Sequence, residues 1–91
     1  MNSVIDPSAS IHASVKIGPF CVIGPNVTIG PNCILHSHVV IKGPTTIAED
    51  NIFYQFSTIG DDTPDKKYAG EETTLEIGSG NIFREGVTVH R

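Results

Sequence analysis

Stepping through the chain in sixes from residue 5 meets Ile5, Ile11, Ile17, Ile23, Ile29, Leu35, Ile41, Ile47, Phe53 and Ile59, a large apolar side chain at every step. Neither ordinary period produces this. An amphipathic helix places apolar residues at i, i+3, i+4 and i+7, and a half-buried strand alternates strictly. Repeated Gly-Pro pairs argue against a helix on their own account, because proline removes a backbone donor and clashes with the preceding turn. A second column runs two residues ahead of the first: Ala9, Val15, Cys21, Val27, Cys33, Val39, Thr45, Asn51 and Ser57, small throughout and more polar toward its end. A short strand ending in a corner satisfies both columns, since alternation along the strand points the aliphatic and the small residue to the same side.

Three such strands close a triangular coil of about eighteen residues, and hexapeptide repeats of this kind are the signature of a parallel β-helix. Residues eighteen apart are then expected to stack, with Ile5, Ile23, Ile41 and Ile59 in one interior ladder and Ile17, Leu35 and Phe53 in another. The residue after the aliphatic is Gly at 18, 24, 30 and 60, where a backbone without Cβ turns a corner at no steric cost. Cys21 and Cys33 fall on different walls of such a prism, so they are expected as reduced core fillers rather than a disulfide or a metal site.

The hexads define the organisation: β-helix coils over 1–60, an excursion over 61–74, and a resumed β-helix over 75–91 that the sequence closes with no cap of its own. The stretch DDTPDKKYAGEETT interrupts the pattern, which returns in phase at Ile77, Phe83 and Val89. Phase leaves open whether the excursion replaces part of a coil or is added to one. A charged surface loop is one reading of it. Loops on a rigid scaffold also carry binding chemistry, and Asp65, Lys66, Lys67 and Tyr68 put an acceptor, two cations and an amphipathic ring together, a set suited to a phosphate-bearing sugar.

At 91 residues the chain makes one small domain. With 6 Lys plus Arg against 10 Asp plus Glu its formal charge is −4, which excludes a general attraction to nucleic acid or to an anionic membrane surface. No apolar run approaches the length of a membrane span, and MNSVIDPSAS has neither a basic nor an apolar leader region, so no membrane insertion and a cytoplasmic location are expected. His12, His36, His38 and His90 fall at or beside corners and should face outward; no third histidine is placed to join His36 and His38 around a zinc ion, and no metal is expected.

Residues 54–91, YQFSTIGDDTPDKKYAGEETTLEIGSGNIFREGVTVHR, add specific motifs to the bare hexads: YQF-x-x-IG, D-x-KY-x-GE and RE-x-VT-x-HR. Together they resemble the N-terminal third of the acyl-carrier-protein-dependent UDP-N-acetylglucosamine O-acyltransferases, the hexapeptide-repeat family that opens lipid A synthesis. The resemblance implies an all-β, left-handed parallel β-helix in a homotrimer whose active sites lie between neighbouring copies. It implies transfer of a 3-hydroxyacyl group from the phosphopantetheine thioester of acyl carrier protein to the 3-hydroxyl of UDP-N-acetylglucosamine, with no cofactor. Asp65 and Lys67 match positions that line the sugar-nucleotide site, and His90 matches a histidine near the cleft. The family's general-base histidine has no counterpart among these residues, so no catalytic residue is assigned and the chain alone is expected to be inactive. Two other readings stay open: a non-catalytic β-helical scaffold, and another hexapeptide-repeat acyl- or acetyltransferase.

Overall fold

In a computed structural model, which describes residues 2–61 and 74–90, the hexads are thirteen short strands. In chain order they are β1 (Val4–Ile5), β2 (Ser10–Ile11), β3 (Lys16–Ile17), β4 (Val22–Ile23), β5 (Val27–Ile29), β6 (Ile34–Leu35), β7 (Val40–Ile41), β8 (Thr45–Ile47), β9 (Ile52–Phe53), β10 (Thr58–Asp61), β11 (Leu75–Ile77), β12 (Ile82–Phe83) and β13 (Thr88–His90). Every third strand belongs to the same wall. One sheet runs β1-β4-β7-β10-β13, a second β2-β5-β8-β11 and a third β3-β6-β9-β12, and all the pairings are parallel. Each strand is too short to fold alone. What holds it is the strand on the same wall of the neighbouring coil.

Both inward columns sit where the period puts them from Cys21 onward, whereas Ile5 in the first coil is 45% exposed, with only one neighbouring coil to cover it. Ile23, Ile29, Leu35, Ile41, Ile47, Phe53 and Ile59 are buried, as are Cys21, Val27, Cys33, Val39, Thr45, Asn51 and Ser57. The ladders form in register, Ile5 beside Ile23, Ile23 beside Ile41 and Ile41 beside Ile59, with Ile17, Leu35 and Phe53 on another wall. Phe53 stacks inside the prism on Phe83, ring centres 4.7 Å apart and nearly coplanar in orientation at 3°. The two thiols are free and buried, each donating to a backbone carbonyl, Cys21 to His36 and Cys33 to Ala48. Burial pushes the Cys21 thiol above its ordinary range.

The polar end of the small column is paired inside the prism. The Thr45 hydroxyl donates to the Lys42 carbonyl and the Ser57 hydroxyl to the Tyr54 carbonyl. Asn51, wholly buried, donates through Nδ2 to the carbonyls of Ala48 (3.0 Å) and Gly78 (2.8 Å), while its Oδ1 accepts the Asn81 amide at 2.8 Å. A buried amide so fully bonded costs little, whereas its partners left alone would be expensive.

The corners correct one expectation. Gly18, Gly24 and Gly30 are not the residues that bend the chain into the left-handed region; that duty falls two positions later, on Phe20, Asn26, Asn32, His38, Asp50, Phe56, Gly80 and Gly86, all at positive φ. Gly18 and Gly30 are required by proximity instead. A Cβ at Gly18 would lie 2.9 Å from the His36 carbonyl carbon, and one at Gly30 2.9 Å from that of Ala48. At residue 44 of the same series stands Pro44, after a cis peptide bond to Gly43. In the first two corners, Ser8 Oγ and Ser14 Oγ each accept the amide of the asparagine eighteen residues on, Asn26 and Asn32.

Register also answers how the excursion is inserted. Up to Ile59 partners are eighteen apart, but Ile47 pairs with Ile77, Phe53 with Phe83 and Ile59 with Val89, each thirty apart. The difference, 30 − 18 = 12, means that twelve residues are added to a coil and none of its three strands is lost. Among the described residues no helix is long and apolar enough to cross a membrane.

Candidate functional site

The surplus leaves the prism at the end of β10, on the corner between the first and second sheets. Asp65 and Lys67 belong to the stretch that lies outside the described residues, as does most of the 61–74 excursion. Its root is described. At Gly60 the register between β10 and β13 shifts: Ile59 faces Val89 and Asp61 faces His90, so Gly60 is an extra residue in the ladder. Gly60 is also at φ +80, and the Lys42 carbonyl and Thr45 hydroxyl crowd the place a Cβ would take. A side chain there would be excluded twice, by conformation and by space.

The corner position just after the inward residue of the first sheet is held in successive coils by Asp6, Gly24, Lys42 and Gly60, and in the last by His90, which the bulge at Gly60 pairs with Asp61. The ladder carries on through it: the amides of Asp6, Gly24 and Lys42 donate to the carbonyls of Ile23, Ile41 and Ile59. Lys42 and His90, both exposed, therefore bracket the exit glycine from the coil before and the coil after. A cation on one side of the exit and an imidazole on the other suit a phosphate or a polarised hydroxyl. Of the three site residues read from sequence, His90 is thus at the root of the excursion. Lys42 was not singled out there. Its signal is arithmetic, since it lies eighteen residues before Gly60.

The other three histidines are elsewhere. His12 Nδ1 accepts the Ser14 amide at 3.1 Å, much as Asp6 Oδ1 accepts the Ser8 amide at 2.9 Å in the preceding corner. The Ser8 amide and hydroxyl hold the Asp6 carboxyl below its usual range. His36 stacks on Tyr54, centroids 4.6 Å apart, and the Arg84 guanidinium lies 4.4 Å from the same ring. His38 lies between Phe20 and Phe56, at 5.2 and 5.1 Å. All three face outward, as their sequence positions predicted. Among the described residues no three His, Cys, Asp or Glu side chains converge on a point.

Comparison with known proteins places this geometry. The model of the bacterial transferase hexapeptide (six repeats) matches residues 1–31 and 8–43. The acyl-[acyl-carrier-protein]–UDP-N-acetylglucosamine O-acyltransferase of Saccharophagus degradans is 53% identical over 89 residues, which is 98% of this chain and 34% of that protein. The solved UDP-N-acetylglucosamine O-acyltransferase (LpxA) of Moraxella catarrhalis superposes with a TM-score of 0.95 at 49% identity, and LpxA of Acinetobacter baumannii with 0.95 at 52%; each match covers 99% of this chain and 35% of the other. The chain thus spans about a third of the length of the relatives it matches. Its prism is the left-handed parallel β-helix of these proteins, as the resemblance implied. In repeat, register and sequence alike, the chain is a homologue of about one third of a UDP-N-acetylglucosamine O-acyltransferase.

Proposed function

We propose that this chain supplies the sugar-nucleotide side of an O-acyltransferase that moves a 3-hydroxyacyl group from acyl carrier protein to the 3-hydroxyl of UDP-N-acetylglucosamine, the first step of lipid A synthesis, in the cytoplasm. The observation that carries this reading is the exit at Gly60. Twelve surplus residues, 62–73, begin between Lys42 and His90, and their Asp65 and Lys67 match the family's sugar-nucleotide positions. A carboxylate accepts hydroxyl hydrogen bonds from a sugar, and lysines neutralise the diphosphate. In the reaction the sugar hydroxyl attacks the thioester carbonyl, a base takes its proton, the oxyanion is held by donors, and the thiol leaves. No metal or cofactor is required by those steps. The 91 residues contribute binding and orientation; the base belongs to a further part of the fold. Active sites lie between neighbouring copies of a homotrimer.

The test is a titration of the protein with UDP-N-acetylglucosamine followed by NMR. Shift changes should concentrate in residues 61–74, His90 and Lys42. Asp65→Ala or Lys67→Ala should weaken binding by about tenfold or more, and Lys42→Ala by a few-fold, about the worth of one or two charge-assisted hydrogen bonds. No shift at millimolar ligand, or shifts confined to the polar second sheet, would refute the assignment.

A further inference from the structure

We propose that Thr45 is a positioning residue of the sugar-nucleotide site, its buried hydroxyl holding the Lys42 peptide against which the chain leaves the prism at Gly60. The inference deepens the acyltransferase reading above and rests on it. Thr45 is only 2% exposed, and its partners on the same wall in the coils before and after, Val27 and Leu75, carry no hydroxyl. A hydroxyl buried where a methyl would fit is costly unless it is bonded. It stands on the rung where a coil gains its twelve residues.

Elsewhere the backbone itself caps a corner carbonyl: those of Asp6 and His12 accept the amides of Ala9 and Val15, three residues on. At Lys42 that amide is committed, because the Thr45 N–H donates to the Asn26 carbonyl of the coil before, at 3.1 Å. The hydroxyl takes its place and donates to the Lys42 carbonyl. Lys42 is therefore held on both sides of its Cα, since its own amide donates to the Ile59 carbonyl at 2.8 Å.

The same carbonyl and hydroxyl are the atoms that a Cβ at Gly60 would strike. The return of the chain rests on the next residues: the Leu75 amide donates to the Pro44 carbonyl at 3.1 Å, and Leu75 pairs with Thr45. Gly43, between them, lies so close to the coil before that a Cβ there would fall on the Pro25 carbonyl. Residues 42–45 thus bear both Gly60 and Leu75. Without the hydroxyl a buried carbonyl loses its donor, and the peptide that carries Lys42 and walls in Gly60 is no longer pinned.

Thr45→Val tests this, since it keeps the β-branched shape and matches Val27 on the same wall. The variant should retain the circular dichroism of the parent, shift the amide resonances of Gly60 and Leu75, and raise the dissociation constant for UDP-N-acetylglucosamine ~5–10-fold. Thr45→Ser, which restores the donor, should bring the affinity back. Ser57→Ala is the control, because that hydroxyl also donates to a carbonyl three residues back, Tyr54, at a corner away from Gly60. It should lose comparable stability in urea and leave the affinity as in the wild type. Undiminished affinity in Thr45→Val, an equal loss in Ser57→Ala, or no recovery in Thr45→Ser would overturn the proposal. Should Thr45→Val not fold, Thr45→Cys decides in its stead: Cys21 and Cys33 already donate to corner carbonyls from this column, and the weaker thiol bond should still lower the affinity measurably, whereas wild-type affinity there would overturn the proposal. Failure of the acyltransferase reading looks different, for then the wild type itself does not bind UDP-N-acetylglucosamine.

Discussion

Glycine does two distinct jobs in this chain, and neither can be told from the other by residue type. At Gly18 it makes room for the next coil's backbone; at Gly60 it supplies both room and a positive φ. The distinction is measurable. Gly18→Ala places a methyl carbon 2.9 Å from backbone that cannot step aside, and should cost about 1–3 kcal/mol in urea denaturation, the usual penalty for overpacking. Gly24→Ala is the control, because the same carbon there meets its nearest neighbour at 3.5 Å, an ordinary contact, and its cost should stay under about 1 kcal/mol. Equal losses at the two sites would show that the backbone conformation of these glycines, rather than the neighbouring coil, decides.

Between strands, the element that deserves a perturbation is the Asn51 corner. Apolar ladders repeat so regularly that any hexad fits above any other, so aliphatic burial alone specifies register weakly across a twelve-residue surplus. Asn51 is particular. Its donors and acceptor meet the Gly78 carbonyl and the Asn81 amide of the next coil as well as the Ala48 carbonyl of its own, and a single buried polar residue fixes register in other repetitive assemblies. Asn51→Val matches the valines elsewhere in the small column, yet it leaves the Asn81 amide without its acceptor and takes one of two side-chain donors from the Gly78 carbonyl, which keeps Asn81 Nδ2. About 2–4 kcal/mol should be lost. Hydrogen exchange should localise the loss to residues 77–90, with the coils built on Ile23 and Ile41 still protected; uniform loosening would mean that Asn51 is merely a space filler.

At the scale of the whole molecule the β-helix and its surplus are separable. Removing residues 62–73 takes out the twelve residues by which one coil exceeds eighteen, and joins Asp61 to Thr74 with every later hexad in phase. The shortened protein should therefore fold, with the circular dichroism of the parent and a midpoint equal to it or slightly higher, since a shorter closure costs about 0.6 kcal/mol less per halving of loop length. Binding of UDP-N-acetylglucosamine should vanish in the same variant. A deletion that unfolds the chain would mean that the surplus is structural, and one that keeps binding would move the site away from Gly60.

Much of this fold was legible in one dimension because a β-helix is close to one-dimensional: each coil meets only its neighbours, so a period in the sequence is a period in space. The tenfold column from Ile5 to Ile59, the small column beside it, the separate walls of Cys21 and Cys33 and the outward histidines all follow from that. Tertiary structure decided what no period encodes. It moved the left-handed corner residue two places past the glycine, because close approach of the next coil, not bending, is what excludes a side chain at Gly18. It showed the excursion as an addition, because strand register counts residues where phase counts only remainders. It also set Lys42 and His90 on either side of Gly60, three residues far apart in the chain that stacking alone brings to one corner.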